Sequence, residues 1–308
     1  GQRSGPGATS CTTCPAGTYG GVVGGSVCTP CPQAYISTQA GFSACVACPE
    51  GKAHLSSTAC KICPANYYQN KPAQMKCLPC AAGSTSKPGA AGCDSCAAGK
   101  YRNLSKKDCE ICQAGTYSEQ GATACTPCEK GRYGSSAQLS VCDLCSGGTY
   151  ALGGQVVGAT VCSTCSAGRF TAGKGEGFCN YCPGGSYSKA GSTGCTKCSA
   201  GTISSKGAGS CLDCAGGTFS GSGQTVCDLC PEGKFSVGGA ASCTPCSAGY
   251  YQGSQQTTAC RACNAGFIAP KTGTVACTAC SAGYYAPNTV KCSMCGPGSF
   301  SPVSGSAS

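Results

Sequence analysis

Tryptophan is absent from this chain, histidine occurs once, and large aliphatic side chains are scarce. Leu, Ile, Val and Phe together number 33 of 308 residues, about 11%, well under the ~20% below which chains tend towards disorder. An ordinary hydrophobic core is therefore excluded. Ordering a residue costs about 1–2 kcal/mol of conformational entropy. The 49 glycines raise that cost, because glycine gives up the most freedom on folding. One buried aromatic per roughly seventeen residues returns only about 4–6 kcal/mol. A covalent or metallic constraint has to supply the rest.

Other absences narrow the function. His54 is the single histidine, so no repeated histidine relay exists, and it reads as a surface residue. The 11 acidic residues are dispersed. Glu110 and Glu119 form no recognisable acid pair, and no Asp-x-Asp-x-Asp-Gly calcium loop appears. Neither a phosphate-cradling Gly-x-x-x-x-Gly-Lys-Ser/Thr nor a Gly-x-Ser-x-Gly context is present. The expectation is a protein that is not an enzyme, with no catalytic residue, cofactor or metal. No apolar run approaches the ~18 residues of a membrane-spanning helix. The first residues, Gly1 to Gly7, lack Met and an apolar signal core. The chain is thus expected to be a processed form or a piece of a longer one, and its small, polar last residues suit a linker. The formal charge is +10, from 21 basic and 11 acidic residues. The basic residues are scattered, the densest group being Lys106 and Lys107 with Arg102 near. A nucleic-acid binder would gather them on one stripe, so nucleic acid is not expected as a partner.

Cysteine is what the chain has in excess. Its 36 cysteines exceed the ~8–10% that marks a disulfide scaffold. All fall into Cys-x-x-Cys pairs: Cys11 and Cys14, Cys28 and Cys31, Cys45 and Cys48, Cys60 and Cys63, Cys77 and Cys80, Cys93 and Cys96, Cys109 and Cys112, Cys125 and Cys128, Cys142 and Cys145, Cys162 and Cys165, Cys179 and Cys182, Cys195 and Cys198, Cys211 and Cys214, Cys227 and Cys230, Cys243 and Cys246, Cys260 and Cys263, Cys277 and Cys280, and Cys292 and Cys295. Pairs follow one another every 15 to 17 residues, except for a step of 20 from Cys142 to Cys162. That long step carries Val156-Val157-Gly158, read as an inserted loop. Complete disulfide pairing of all 36 implies an oxidising compartment, extracellular or at the cell surface.

Two further positions keep time with the cysteines. Three residues after the second cysteine comes Gly in 16 of 18 repeats, with Ala34 and Asn66 as exceptions. Asn tolerates a left-handed backbone, so Asn66 supports a positive φ at this position and Ala34 argues against it. Five residues after the second cysteine comes Tyr, Phe or Ile in 16 of 18, with Ala53 and Thr85 as exceptions. The reading is a turn at the Gly, then a short extended stretch whose aromatic covers a disulfide. A polar return of Ser, Thr, Gly and Ala follows. No window has a helical apolar period. The expected fold is a series of small disulfide-rich repeats of short β-hairpins and irregular turns, with essentially no helix, stacked into an elongated solenoid-like rod. Residues 1–10 read as a linker, 11–300 as the array and 301–308 as a tail.

Cys11-Thr-Thr-Cys14-Pro-Ala-Gly17-Thr-Tyr19 resembles the opening of the ephrin-receptor-like cysteine-rich repeat. Cys179-Asn-Tyr-Cys182-Pro-Gly-Gly185-Ser-Tyr187 and Cys227-Asp-Leu-Cys230-Pro-Glu-Gly233-Lys-Phe235 are similar to it as well. More distantly the array resembles tumour-necrosis-factor-receptor modules. Similar arrays build large surface proteins of protists and algae, the immobilisation antigens of ciliates among them. The resemblance implies a cell-surface or secreted module without naming an activity.

The wiring has two periodic solutions. In one, two adjacent pairs close a module through bonds such as Cys11–Cys28 and Cys14–Cys31, giving nine modules of about 33 residues. In the other, the second cysteine of each pair bonds the first of the next, such as Cys14–Cys28. That ladder leaves Cys11 and Cys295 unpaired and able to join a neighbouring chain. Spacings from Cys31, Cys63, Cys96, Cys128, Cys165, Cys198, Cys230 and Cys263 to the next pair are always 13 or 14, while the alternate ones run from 12 to 17. This alternation favours the two-pair module. Paired Cys-x-x-Cys is also zinc-site spacing, though the sparse charge suits a secreted disulfide scaffold better. Asn103-Leu104-Ser105 is an N-glycosylation sequon, and Asn180-Tyr181-Cys182 a weaker one. The function expected is a structural component of an extracellular filament, appendage or surface coat, partnered by its own copies or by other extracellular structural proteins. The alternative is a surface antigen or receptor ectodomain that binds a protein or glycan, using the atypical repeats near Ala34, His54 and Thr85 or the loop near Val157.

Overall fold

The computed structural model describes residues 1–22, 24–154 and 157–306. Among them there is no helix, and the regular structure is a succession of two-stranded sheets, nearly all with strands of two residues. Each ladder is antiparallel and joins neighbours in the chain. Thr18–Tyr19 pairs with Thr29–Pro30, and Thr202–Ile203 pairs with Leu212–Asp213. One strand is therefore the fourth and fifth residues after a Cys-x-x-Cys. The other is the two residues between the cysteines of the next pair. The longest hairpin, Lys52–Ser56 with Ala59–Ile62, has a register shift between His54 and Ser56. It spans the shorter 12-residue separation from Cys48 to Cys60.

The disulfides follow this pairing. Cys14 bonds Cys28, Cys31 bonds Cys45, and the rule runs unbroken to Cys280–Cys292 through seventeen bonds. The closed two-pair module is thus not what forms. Such modules would join Cys80 to Cys96, Cys112 to Cys128 and Cys145 to Cys165. Instead Cys80 bonds Cys93, Cys112 bonds Cys125 and Cys145 bonds Cys162. The hairpin explains why. The strand that leaves the second cysteine pairs with the residues between the next two cysteines. This places the next first cysteine beside it, with Cα atoms 5.6 Å apart for Cys14 and Cys28. The same rule leaves Cys11 and Cys295 as free thiols, the first exposed and the second half-buried. All 36 cysteines were expected in disulfides; these two are the difference. A bond that closes a loop of about 15 residues contributes roughly 3 kcal/mol in the chain-entropy account, and here every such loop is separate from the next.

Two compact units are present, one of Gly1–Asp143 with Gly153–Val161, the other of Leu144–Leu152 with Cys162–Ser308. Within each, backbone contacts reach beyond the adjacent repeat. In the first, the N–H of Gly121 donates to the Cys96 carbonyl at 2.8 Å. The carbonyl oxygen of the same Gly121 lies 1.9 Å from where a Cβ on Gly83 would stand. In the second unit Gly239 relates to Cys214 and Gly201 in the same way. A turn residue thus bonds the repeat before its own and packs on the repeat two before it. Contacts thus span two repeats, but they recur at every repeat, as at Gly83, Gly99 and Gly115, and mark no two-pair module.

This close approach and a positive φ together account for the recurrent glycine. Gly201 has φ +87°. Ala34 and Asn66 adopt the same left-handed conformation, at 69° and 68°. The expectation that Ala34 departs from it is corrected: the hairpin and the disulfides beside it hold an alanine where glycine is the easier fit, against a strain of about 1–2 kcal/mol.

The terminal segments also differ from the linker and tail expected of them. Gln2–Arg3 pairs with Thr12–Thr13, and the Cys14 N–H donates to the Gly1 carbonyl as the Cys31 N–H does to Gly17. At the other end the Gly305 N–H donates to Cys280. The repeat pattern thus runs outside 11–300. In the long step, Val157 is exposed and Gly158 is buried with its N–H donating to Gly115. Val156, expected in the same loop, lies outside the described residues.

Digestion without reduction should yield peptides joined by Cys14–Cys28, Cys31–Cys45 and so on, with alkylation confined to Cys11 and Cys295 in the isolated monomer. Recovery of Cys11–Cys28 with Cys14–Cys31 would contradict the ladder. Gly201→Ala should destabilise the second unit by about 1–3 kcal/mol through strain and the contact with Gly239. Gly194→Ala, at an exposed site with no neighbour within 4 Å, should change stability by less than about 0.5 kcal/mol. Hydrogen exchange around 182–243 reads the difference.

Candidate functional surface

What the repeats bury is mostly disulfide sulfur and polar side chain. The second cysteine of nearly every pair is inaccessible, Cys80, Cys112 and Cys145 among them, as are Ser37, Ser118, Thr171, Ser188, Ser204, Ser220 and Ser236. These hydroxyl residues stand six positions after the second cysteine, one beyond the aromatic. Their Oγ atoms donate to a strand carbonyl of the preceding repeat: Ser204 to Ser186 at 2.9 Å, Ser220 to Thr202 at 3.1 Å and Ser236 to Thr218 at 2.9 Å. Burying a polar group without a partner costs about 1–3 kcal/mol, so the hydroxyl and the carbonyl satisfy each other. The signal was in the sequence, since Ser or Thr fills this position in nine repeats.

The aromatics one position earlier are half-exposed rather than buried. Tyr117, Tyr150, Phe170, Tyr187, Phe219 and Phe235 all stand partly in solvent, and Phe300 is 81% exposed. Shallow niches recur beside them at equivalent repeat positions. In the first unit one niche is lined by Tyr117, Glu119, Glu129, Arg132 and Val141. In the second, Tyr150, Ser166, Arg169 and Phe178 line one, and Phe235, Ser247, Tyr250 and Ala259 line another.

The densest basic group of the sequence is committed internally. Arg102 occupies the sixth position of its repeat and is buried, its guanidinium donating to the carbonyls of Ala81, Ser84 and Lys106. Lys106 Nζ lies 2.8 Å from Glu110, which also accepts from the Tyr101 hydroxyl at 3.2 Å. The hydrogen bond from Lys106 holds the Glu110 carboxyl below its ordinary range, and the reciprocal bond raises Lys106. This contact is therefore present above the ordinary carboxylate range and is lost as pH falls through the depressed pKa. Asn103 stands exposed on the turn beside it. Its Oδ1 accepts from the Ser105 N–H at 3.1 Å and from the Ser105 Oγ at 2.6 Å.

The other singular residues scatter. His54 is half-buried, its backbone donating to Gln74 at 2.9 Å. Ala53 is buried in the same strand, and Thr85 pairs with Asp94. The structure does not bring Ala34, His54 and Thr85 together into one site. Where zinc spacing allowed thiolate sets, thirty-four of the cysteines are joined in disulfides.

A family model described as tyrosine-protein kinase ephrin type A/B receptor-like matches residues 233–280. No curated protein matches the chain. The matched stretch holds Cys246–Cys260 and Cys263–Cys277, and the ladder geometry there is that of the rest of the array. No helix among the described residues is long and apolar enough to cross a membrane. Disulfides in this number, with an ephrin-receptor-like stretch among them, mark an extracellular or cell-surface protein built from cysteine-rich repeats, similar over 233–280 to the ephrin-receptor-like family.

Proposed function

We propose that this chain is a structural component of an extracellular filament, appendage or surface coat, acting through shape and covalent continuity rather than catalysis. The observation that carries the reading is the unbroken disulfide ladder, in which each repeat is bonded to the next by the same rule. Under tension each disulfide carries the load across its own loop, so only the short steps between successive bonds, such as Cys28 to Cys31, can extend. Non-covalent packing of each turn on the repeat two before it adds stiffness. The thiols of Cys11 and Cys295, at the two ends of the ladder, are its natural points of covalent extension. The partners in this reading are further copies or other extracellular structural proteins.

Oxidised protein should form filaments or sheets in negative stain, with dimers and higher species that collapse to monomer on reduction. A monodisperse monomer at all concentrations, in light scattering and in images, would overturn the reading. Asn103 completes the surface as a glycan acceptor: its sequon is exposed and already turned. Secreted from a eukaryotic host, the chain should lose the mass of one N-glycan on amidase treatment, and N103Q should show no such loss. An unmodified wild type would remove the glycan from the proposal.

A further inference from the structure

One niche in the second unit differs from its equivalents in charge. It has a volume of about 240 Å³ and is walled by Tyr150, Leu152, Thr164, Ser166, Arg169 and Phe178. Leu152 is 65% and Phe178 62% exposed, so both present apolar surface to a ligand in the niche. None of the residues that line it is acidic. The Arg169 guanidinium lies 3.9 Å from the centre of the Tyr181 ring and donates to the Tyr181 hydroxyl. That stack fixes the orientation of the fork and leaves other N–H donors free. Lys206 Nζ approaches the same ring at 5.8 Å, so two cations meet on Tyr181, next to the niche residue Arg169.

The equivalent niches provide the contrast. In the first unit Arg132 donates to the Cys142 carbonyl at 2.8 Å and shares its niche with Glu119 and Glu129. In the second unit the niche of Phe235 has Tyr250 where the other has Arg169. Aromatic wall, hydroxyls and an uncompensated, pre-oriented guanidinium coincide at Arg169 and not in these two.

The geometry points to an acidic sugar residue of an extracellular polysaccharide as the ligand of this niche. A pyranose ring has an apolar C–H face and a polar rim. The face matches Tyr150 and Phe178, the rim hydroxyls match Thr164 and Ser166, and a carboxylate or sulfate on the ring matches the fork of Arg169. The volume is below the ~300–1,000 Å³ of sites that enclose a small molecule, which suits one ring of a longer chain seated in an open cleft. The excess of basic over acidic residues, 21 against 11, favours the approach of a polyanion. This site is independent of any filament role.

The test is titration of the oxidised chain, by calorimetry at low salt, with four probes: an oligogalacturonate, a carrageenan oligosaccharide (sulfate without carboxylate), a neutral cello-oligosaccharide and a poly-glutamate peptide. At least one acidic oligosaccharide should bind with Kd of order 1 mM or tighter, the neutral sugar and the peptide should not, and the acidic probe that binds tells carboxylate from sulfate. Arg169→Gln and Phe178→Ala should each weaken binding at least tenfold, and Tyr250→Ala should leave it unchanged. If Arg169→Gln does not oxidise to the wild-type disulfide pattern, Arg169→Lys replaces it, keeping the charge without the fork and expected to lose several-fold. Four results would each overturn the proposal: no binding of either acidic sugar, equal binding of the neutral sugar, equal binding of poly-glutamate, or wild-type affinity in Phe178→Ala.

Discussion

The rest of this structure depends on the bond from the second cysteine of one pair to the first cysteine of the next. Nearly every hairpin has two residues per strand, far below what holds a free hairpin in water. The disulfide beside that hairpin, anchored on the residue just before the second strand, makes so short a ladder sufficient. It also sets what lies around it. The cysteine carbonyl accepts from a turn about 25 residues later, as Cys96 does from Gly121, so the covalent bond and the inter-repeat hydrogen bond share one residue. The left-handed residue three positions on turns the chain into the hairpin. Its missing side chain admits the backbone of the repeat two further on.

Much of this was legible in the sequence. The Cys-x-x-Cys period, the glycine turn and the aromatic position all occur where the spacing put them, and the absence of helical periodicity matched a chain of hairpins. The wiring was not legible, for a quantitative reason. Cys11–Cys28 and Cys14–Cys28 close loops of 17 and 14 residues, and the entropy of closing them differs by only about 0.2 kcal/mol. Loop length therefore does not choose between them. Strand pairing chooses, and the second strand was hidden in the two variable residues between the cysteines, such as Leu212-Asp213. Asp and Pro there read as linkers of a metal or disulfide motif, since β-propensity is low for both. The alternation of spacings that suggested a two-pair module is absorbed by loops such as the one Cys145 and Cys162 close.

The candidate surface was half legible. The aromatics were identified by position, and Tyr150 and its counterparts are partly buried there, while the disulfide sulfurs and the buried serines fill the interior. The serine one position later was overlooked because Ser is common throughout the polar segments. Its recurrence at that position is visible in the sequence, but its burial shows only in the structure. Basic residues misled in the opposite sense. Arg102, Lys106 and Lys107 cluster in sequence, yet Arg102 is buried on carbonyls and Lys106 is held by Glu110. Arg169 and Lys206 are 37 residues apart in the chain, but both reach Tyr181.

This economy explains how a chain with so little apolar surface can vary without losing its fold. Each repeat is closed by its own bonds and touches only the repeats one and two away, so a change in one loop is not transmitted along the array. The constrained positions are few: the cysteines, the left-handed turn residue and the buried hydroxyl position. Even the last of these tolerates Ala151, Ala269 and the bulk of Arg102. Most other side chains face solvent wholly or in part and are freer to differ. A surface feature such as the cleft at Arg169 can therefore arise in one repeat by substitution at strand and loop positions, with no cost to the ladder beneath it. The same freedom lets one scaffold carry a structural role along its length and a binding role at a single repeat.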